Sequence, residues 1–161
     1  MPADLFSLQG RVALVTGGSR GIGRMIAAGF IAQGAKVYIS SRKADVCEKT
    51  AAELCGGGGH CIALPADASS VAGAQGLAKA YAAREPKLDI LVNNAGAAWL
   101  EKFEKFPEKG WDKVMDLNLK TPFFLTQALL GPLRAAATRD RPAKVINIAS
   151  IDGISVNPQE T

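Results

Sequence analysis

The segment Thr16-Gly17-Gly18-Ser19-Arg20-Gly21-Ile22-Gly23 constrains the fold more than any other part of this chain. The apolar run Val12-Ala13-Leu14-Val15 precedes it, and a helix-like stretch opens at Ile22. A glycine-rich turn between a buried strand and a helix gathers free backbone N–H groups and the positive end of a helix dipole at one point, which suits a pyrophosphate. The first glycine lets the chain turn sharply out of the strand. The later ones permit close approach of backbone to ligand and of helix to sheet. The spacing is Gly-x-x-x-Gly-x-Gly rather than the commoner Gly-x-Gly-x-x-Gly, so the turn taken alone also fits a tight connection without ligand.

The remaining pattern supplies the context. Short apolar runs at Arg11–Thr16, Lys36–Ser40, Cys61–Leu64, Leu88–Val92 and Lys144–Ala149 predict buried strands. The intervening stretches Ile22–Gln33, Ala44–Leu54, Ser70–Arg84, Lys109–Asn118 and Pro122–Ala137 predict helices, the first two stopped by Gly34 and by the Gly56–Gly59 tract. Alternation of this kind predicts an α/β chain: a Rossmann-type doubly wound parallel sheet with helices on both faces, truncated after about the fifth strand. Residues 1–161 are expected to form a single dinucleotide-binding domain. Ligands of such sheets bind beyond the carboxyl ends of the strands. Gly17–Gly23, Ser41-Arg42, Asn93–Gly96 and Ser150 all fall there.

The end of the second strand bears on which dinucleotide fits. An acid at that point would accept bonds from a ribose 2′-hydroxyl and repel a 2′-phosphate. The strand instead ends Ile39-Ser40-Ser41-Arg42-Lys43, with no acid. Arg42 offers a planar fork of donors to a phosphate, Arg20 in the turn is a second candidate, and the hydroxyls of Ser40 and Ser41 add donors. NADP(H) is therefore expected over NAD(H). The competing reading makes Arg42 a solvated residue at the start of the next helix. Asp45, the nearest acid, is read as a first-turn helix acid.

Composition excludes several other classes. An apolar content of 48% and a charged content of 21% argue against disorder, and a net charge of +4 is mild. The closest basic group, Arg134 with Arg139, Arg141 and Lys144, is interrupted and fits a solvated helix end and loop, so no nucleic-acid partner is expected. Cys47, Cys55 and Cys61 are odd in number and lack paired spacing, which favours a reduced, cytoplasmic compartment. Cys55, His60 and Cys61 match no usual zinc spacing; no metal is expected, and His60 is read as a loop residue. The N-terminus lacks the basic and apolar regions of a signal peptide, and no run is long enough for a membrane span.

Five motifs then occur in a telling order: Thr16–Gly23, Asp67 in Pro-Ala-Asp-Ala, Asn93–Gly96, Asn118 in Met-Asp-Leu-Asn, and Ser150 in Ile-Asn-Ile-Ala-Ser. With them the chain resembles the short-chain dehydrogenase/reductase family throughout its length. Within that family it is most similar to bacterial 3-oxoacyl-acyl-carrier-protein reductases, the ketoacyl reductase type of rhamnolipid synthesis included. The resemblance implies that Gly17, Ser19, Arg20, Gly21, Ile22 and Gly23 hold the cofactor phosphates and adenosine ribose. Asp67 and Ala68 would meet the adenine. Asn94, Ala95 and Gly96 would line the ribose and nicotinamide side. Ser150 would hydrogen-bond the substrate carbonyl oxygen, and Asn118 would kink its helix and bind a water of a proton relay. Each has a plainer alternative: a strand-end hydroxyl for Ser150, a turn former for Asp67, a helix C-cap for Asn118. The implied activity is NADP(H)-dependent reduction of a small-molecule ketone or acyl thioester, a 3-oxoacyl thioester first among them, by a homotetramer or homodimer. A dinucleotide-binding module or redox sensor without turnover is the alternative.

Family members carry a Tyr-x-x-x-Lys after the active-site serine. The tyrosine is the general acid, and the lysine lowers its pKa and binds the nicotinamide ribose. Neither Tyr38, on the second strand, nor Tyr81, with Glu85 four residues on, fills that role. The motif is expected beyond Thr161 in a longer enzyme, for which Asn157-Pro158-Gln159-Glu160-Thr161 supplies no closing element; a truncated product is the other possibility. The 161 residues alone are expected to bind part of a cofactor without catalysing reduction.

Overall fold

The computed structural model describes residues 5–56 and 58–155. The first four residues, Gly57 of the glycine tract and the closing run from Val156 lie outside the described residues. Five strands, β1 Val12–Thr16, β2 Lys36–Ser40, β3 His60–Ala63, β4 Ile90–Asn93 and β5 Lys144–Asn147, form one sheet in the order β3-β2-β1-β4-β5. Every pairing is parallel, with Ala13 opposite both Val37 and Ile90. Strand order reverses between β1 and β4, so the crevice beyond their carboxyl ends is where such a sheet takes a ligand.

Period-two alternation sends the strand side chains to two cores. Ala13, Val15, Val37, Ile39 and Val92 pack under α1 Gly21–Ala32 and α2 Ala44–Cys55. Leu14, Tyr38 and Leu91 pack under α3 Val71–Ala82, α5 Thr121–Ala128 and α6 Leu130–Ala136, where the Tyr38 and Tyr81 rings meet edge to face at 5.1 Å. The amino ends of the strands are tied by Asp89, which accepts from the Arg11 guanidinium at 2.6 Å and from the Val12 N–H at 3.0 Å. Nearby, Glu85 accepts from Lys36 Nζ at 2.7 Å and from the Tyr38 hydroxyl at 3.3 Å, and holds the Lys36 ammonium above its ordinary pKa.

Boundaries differ from expectation where side chains decide them. His60 is the first residue of β3, opposite Lys36, rather than part of the loop. The predicted gap between helices at residues 119–121 is not a gap. α4 Glu108–Met115 continues through a wide π turn, Asp116–Lys120, directly into α5. Pro122 lacks the N–H that an α-helix would direct at the Asn118 carbonyl, and its ring would clash there; the widened turn accommodates both. The real break comes at Leu129, φ −92° and ψ 6°, three residues before Pro132. That proline likewise denies a donor to the Ala128 carbonyl.

Candidate functional site

At the β1–α1 junction Gly17 has φ +66° and Gly21 φ +53°, the left-handed region that favours glycine. A side chain at Gly23 is excluded for a different reason: its Cβ would lie 2.4 Å from the Gly17 carbonyl oxygen and 2.5 Å from Asn94 Nδ2. Helix α1 therefore begins pressed against the turn. Its N-cap residue, Arg20, gives no side-chain cap, so the first-turn N–H groups are left for a ligand. The turn is fixed on its flank by the Gly18 N–H donating to the Ser40 carbonyl at 3.1 Å and by the Thr50 hydroxyl donating to the Ser19 carbonyl at 3.1 Å. Thr50 carried no sequence signal.

Three other strand ends converge on this turn. Beyond β2, the Ser41 carbonyl accepts from Ala66 N–H, and Arg42 is exposed; the guanidinium groups of Arg20 and Arg42 have no partner among the described residues. Asp45 stands in the first turn of α2, as expected. Beyond β3, Asp67 accepts from the Ser69 N–H at 3.0 Å, the turn-forming bond anticipated as its plainer role, while Ala68 is buried and its carbonyl accepts from the Thr121 hydroxyl. Beyond β4, Thr16 proves to be the organising residue. Its Oγ1 accepts from the N–H groups of Asn94 and Ala95, both at 3.0 Å, and donates to the Val92 carbonyl at 3.3 Å. Asn94 returns the contact, donating Nδ2 to the Thr16 carbonyl at 2.9 Å. The Asn94–Gly96 segment is thus pinned to the mouth of the glycine turn. Thr16 stood in the motif, but its hydroxyl gave no sign of this role in sequence.

A cleft of about 620 Å³ opens beside that segment, lined among others by Asn93, Ala95, Gly96, Asn118, Asn147 and Ser150. Asn118 sits in the π turn. Its Oδ1 accepts from the Ala97 N–H at 2.8 Å and its Nδ2 donates to the Ala97 carbonyl at 2.9 Å, so it latches the loop after β4 instead of capping a helix end. Asn93 Nδ2 donates to Asn147 Oδ1 at 2.9 Å across the β4–β5 pair. Ser150 follows β5, exposed, with its hydroxyl donating to Asp152 Oδ2 at 2.8 Å. The structure therefore gathers the predicted residues into two adjoining regions. Gly17–Gly23, Ser41, Arg42, Asp67 and Ala68 flank the β1–β2–β3 ends, Ala95, Gly96, Asn118 and Ser150 line the cleft at β4–β5, and Asn94 joins the two through its bond to the Thr16 carbonyl. A second, apolar groove of about 440 Å³ between α1 and α2, lined by Arg24, Met25 and Leu54, carries no such chemistry.

Neither tyrosine reaches the cleft as a free acid. The Tyr38 hydroxyl is held by Glu85, and the Tyr81 hydroxyl donates to the Lys87 carbonyl at 2.6 Å. Burial first, then the Glu85 charge, pushes the Tyr81 phenol upward. Burial, reinforced by the neighbouring Cys55 and Cys47, pushes the Cys61 thiol up to about 12. Among the described residues there is no group of three His, Cys, Asp or Glu that could hold a metal ion, and no helix is long and apolar enough to cross a membrane.

Comparison with known proteins places these features. A profile described as short chain dehydrogenase matches residues 11–161. The rhamnolipids biosynthesis 3-oxoacyl-[acyl-carrier-protein] reductase of Pseudomonas aeruginosa is 53% identical over 150 residues, covering 93% of this chain and 58% of that protein. Nodulation protein G of a Rhizobium species is 38% identical over 157 residues, covering 98% of this chain and 61% of its own. The solved Pseudomonas aeruginosa RhlG/NADP active-site complex superposes with a TM-score of 0.92 at 52% identity, covering 96% of this chain and 60% of that one. The chain thus spans about three fifths of the length of these relatives.

Proposed function

We propose a function from one premise: the chain belongs to the short-chain dehydrogenase family. It is the cofactor-binding part of an NADP(H)-dependent reductase that turns a ketone, first a 3-oxoacyl thioester, into the secondary alcohol. The observation that carries this reading is the convergence of a glycine cradle and two uncommitted arginines on the same sheet edge as Ser150 and Asn118.

The residues present fit the cofactor. A Cβ at Gly23 would fill the cradle, the first turn of α1 is uncapped, and no acid stands at the end of β2 to repel a 2′-phosphate. Gly17, Ser19, Arg20, Gly21, Ile22 and Gly23 hold the diphosphate and adenosine ribose, Ser41 and Arg42 the 2′-phosphate, and Asp67 and Ala68 the adenine edge. Asn94, Ala95 and Gly96 line the nicotinamide side. NADPH, when bound, supplies a hydride. Ser150 donates its hydroxyl proton in a hydrogen bond to the substrate oxygen. Asn118, through the latch on Ala97, fixes the wall of the cleft and stands where a water of a proton relay is held. The tyrosine acid and its lysine belong to sequence after Thr161. Without a positioned acid, proton transfer loses about 10²–10⁴-fold, so the 161 residues alone bind cofactor but turn over negligibly.

The protein works in the cytoplasm, in fatty-acyl metabolism, as a homotetramer or homodimer. The exposed Trp111, Leu119, Phe123 and Leu130 along α4–α6 support such assembly. Neither nucleic acid nor membrane is a partner. The test is NADPH consumption by the complete protein with a 3-oxoacyl thioester. Stoichiometric loss of NADPH with formation of the 3-hydroxy product supports the reading, and NADPH binding without turnover favours the binding module.

A further inference from the structure

The loop that follows β3 is pinned from two helices. The Thr121 hydroxyl, at the first residue of α5, donates to the Ala68 carbonyl 53 positions earlier in the chain. Both residues are buried. On the other side the Asp67 carbonyl presses against Gly73 of α3, where a Cβ would stand 1.9 Å from its oxygen. Glycine weakens a helix relative to alanine, so its presence here is explained by the close approach of the loop. Gly76, three residues on in the same helix, has open space at its Cβ position. A third tie, the Ala66 N–H donating to the Ser41 carbonyl at 3.1 Å, joins the loop to the end of β2 beside Arg42. Asp67 Oδ1 is engaged by the Ser69 N–H. Asp67 Oδ2 and the Ala68 N–H take no hydrogen bond among the described residues. The clamped loop therefore offers an acceptor and a donor on adjacent residues.

From this we infer that Thr121 and Gly73 are positioning residues that hold the Asp67–Ala68 loop so that the cofactor site selects adenine over a 6-oxo purine. The inference rests on the reading of Asp67 and Ala68 as the adenine edge. The pairing edge of adenine carries an amino donor beside a ring-nitrogen acceptor, which matches a carboxylate acceptor and a backbone donor. Hypoxanthine carries an oxo acceptor beside an N–H donor, the reverse pattern, so both contacts become mismatched. Selection of this kind needs the acceptor and the donor held in place, because a loop free to move re-forms contacts with either purine. Removing the Thr121 hydroxyl leaves the Ala68 carbonyl without its partner, and a methyl at Gly73 pushes the Asp67 carbonyl away. Either change releases the loop. Hydrogen bonds to charged groups are worth about 10- to 100-fold in an equilibrium constant. Asp67 is exposed, so water screens the contact, and about three- to tenfold selection is the expected size.

The experiment titrates NADPH, and its analogue with hypoxanthine in place of adenine, into the complete protein and its variants, followed by the fluorescence of the reduced nicotinamide. Wild type binds NADPH about three- to tenfold more tightly than the analogue. Thr121→Val and Gly73→Ala bring the two affinities within about twofold of each other. Thr121→Ser, which keeps the hydroxyl, and Gly76→Ala, whose methyl meets open space, retain the wild-type ratio. A purely structural role would weaken both nucleotides alike and leave the ratio standing. Thermal unfolding identifies any variant that has lost its fold, and of Thr121→Val and Gly73→Ala either carries the test should the other unfold. An unchanged ratio in folded Thr121→Val or Gly73→Ala overturns the inference and leaves the reductase reading in place. Wild type with no preference between the two purines overturns the placing of Asp67 and Ala68 at the adenine, and the inference with it. Wild type that binds neither nucleotide overturns the cofactor reading itself.

Discussion

Replacing Thr16 with valine removes one oxygen and keeps the shape of the side chain. That oxygen, at a residue only 3% exposed, serves three backbone groups: it accepts from the N–H of Asn94 and of Ala95, and donates to the Val92 carbonyl. In Thr16→Val two donors lose their acceptor. Each buried, unmatched group costs about 1–3 kcal/mol, and because Asn94 and Ala95 are half-buried the lower end applies, for about 2–3 kcal/mol together. Removing the hydroxyl also spares its own desolvation, which offsets about 1 kcal/mol. The net loss is about 1–2 kcal/mol, or roughly 2–8 °C in Tm for a protein of this size. Thr16→Ser keeps the oxygen and drops one methyl, costing about 0.8 kcal/mol. Circular dichroism melting of the three proteins reads the difference, and NADPH titration reads whether the Asn94–Gly96 wall has shifted. The reasoning fails if Thr16→Val melts within about 1 °C of wild type, or if Thr16→Ser is destabilised as much as the valine variant.

Other expectations follow from the same geometry. In Gly23→Ala the new methyl meets the Gly17 carbonyl and Asn94 Nδ2 well inside contact distance, so the turn or α1 must shift. Overpacking of this kind costs about 1–3 kcal/mol and should weaken NADPH binding about tenfold or more; calorimetry showing wild-type affinity would refute the close fit. The Cys61 thiol, held up to about 12 against an ordinary value of 9.0, stays protonated in the fold while the unfolded chain ionises first. Its contribution is intact below pH about 9 and is lost as pH rises toward 12, so urea midpoints should fall across that window, and Cys61→Ala should flatten the fall. With a thiol reagent under native conditions, half-buried Cys55 should react well before Cys47 and Cys61, as mass spectrometry of modified peptides would show.

Much of this architecture was legible in the chain because parallel strands buried on both faces leave continuous apolar runs such as Val12–Val15 and Leu91-Val92. The glycine turn was legible because positive φ at Gly17 and the contact at Gly23 admit almost nothing else. What stayed hidden depends on partners distant in sequence. Nothing local marks Thr16 as the acceptor for residues 94 and 95, or Thr50 as the donor to Ser19. Residues 119–121 looked like a break because Pro122 usually ends a helix, whereas here the π turn Asp116–Lys120 absorbs it. Asn118 gave its position but not its partner, since the latch on Ala97 exists only once the loop after β4 folds over.

The central claim, a cradle built for a 2′-phosphorylated dinucleotide, is tested most directly by titrating NADPH and NADH into the complete protein and its Arg42→Ala variant. A charged hydrogen bond predicts about 10- to 100-fold tighter NADPH binding in wild type, with most of that preference gone in the variant while NADH affinity holds. Equal or tighter binding of NADH to wild type, or an NADPH preference untouched by the loss of Arg42, would contradict it.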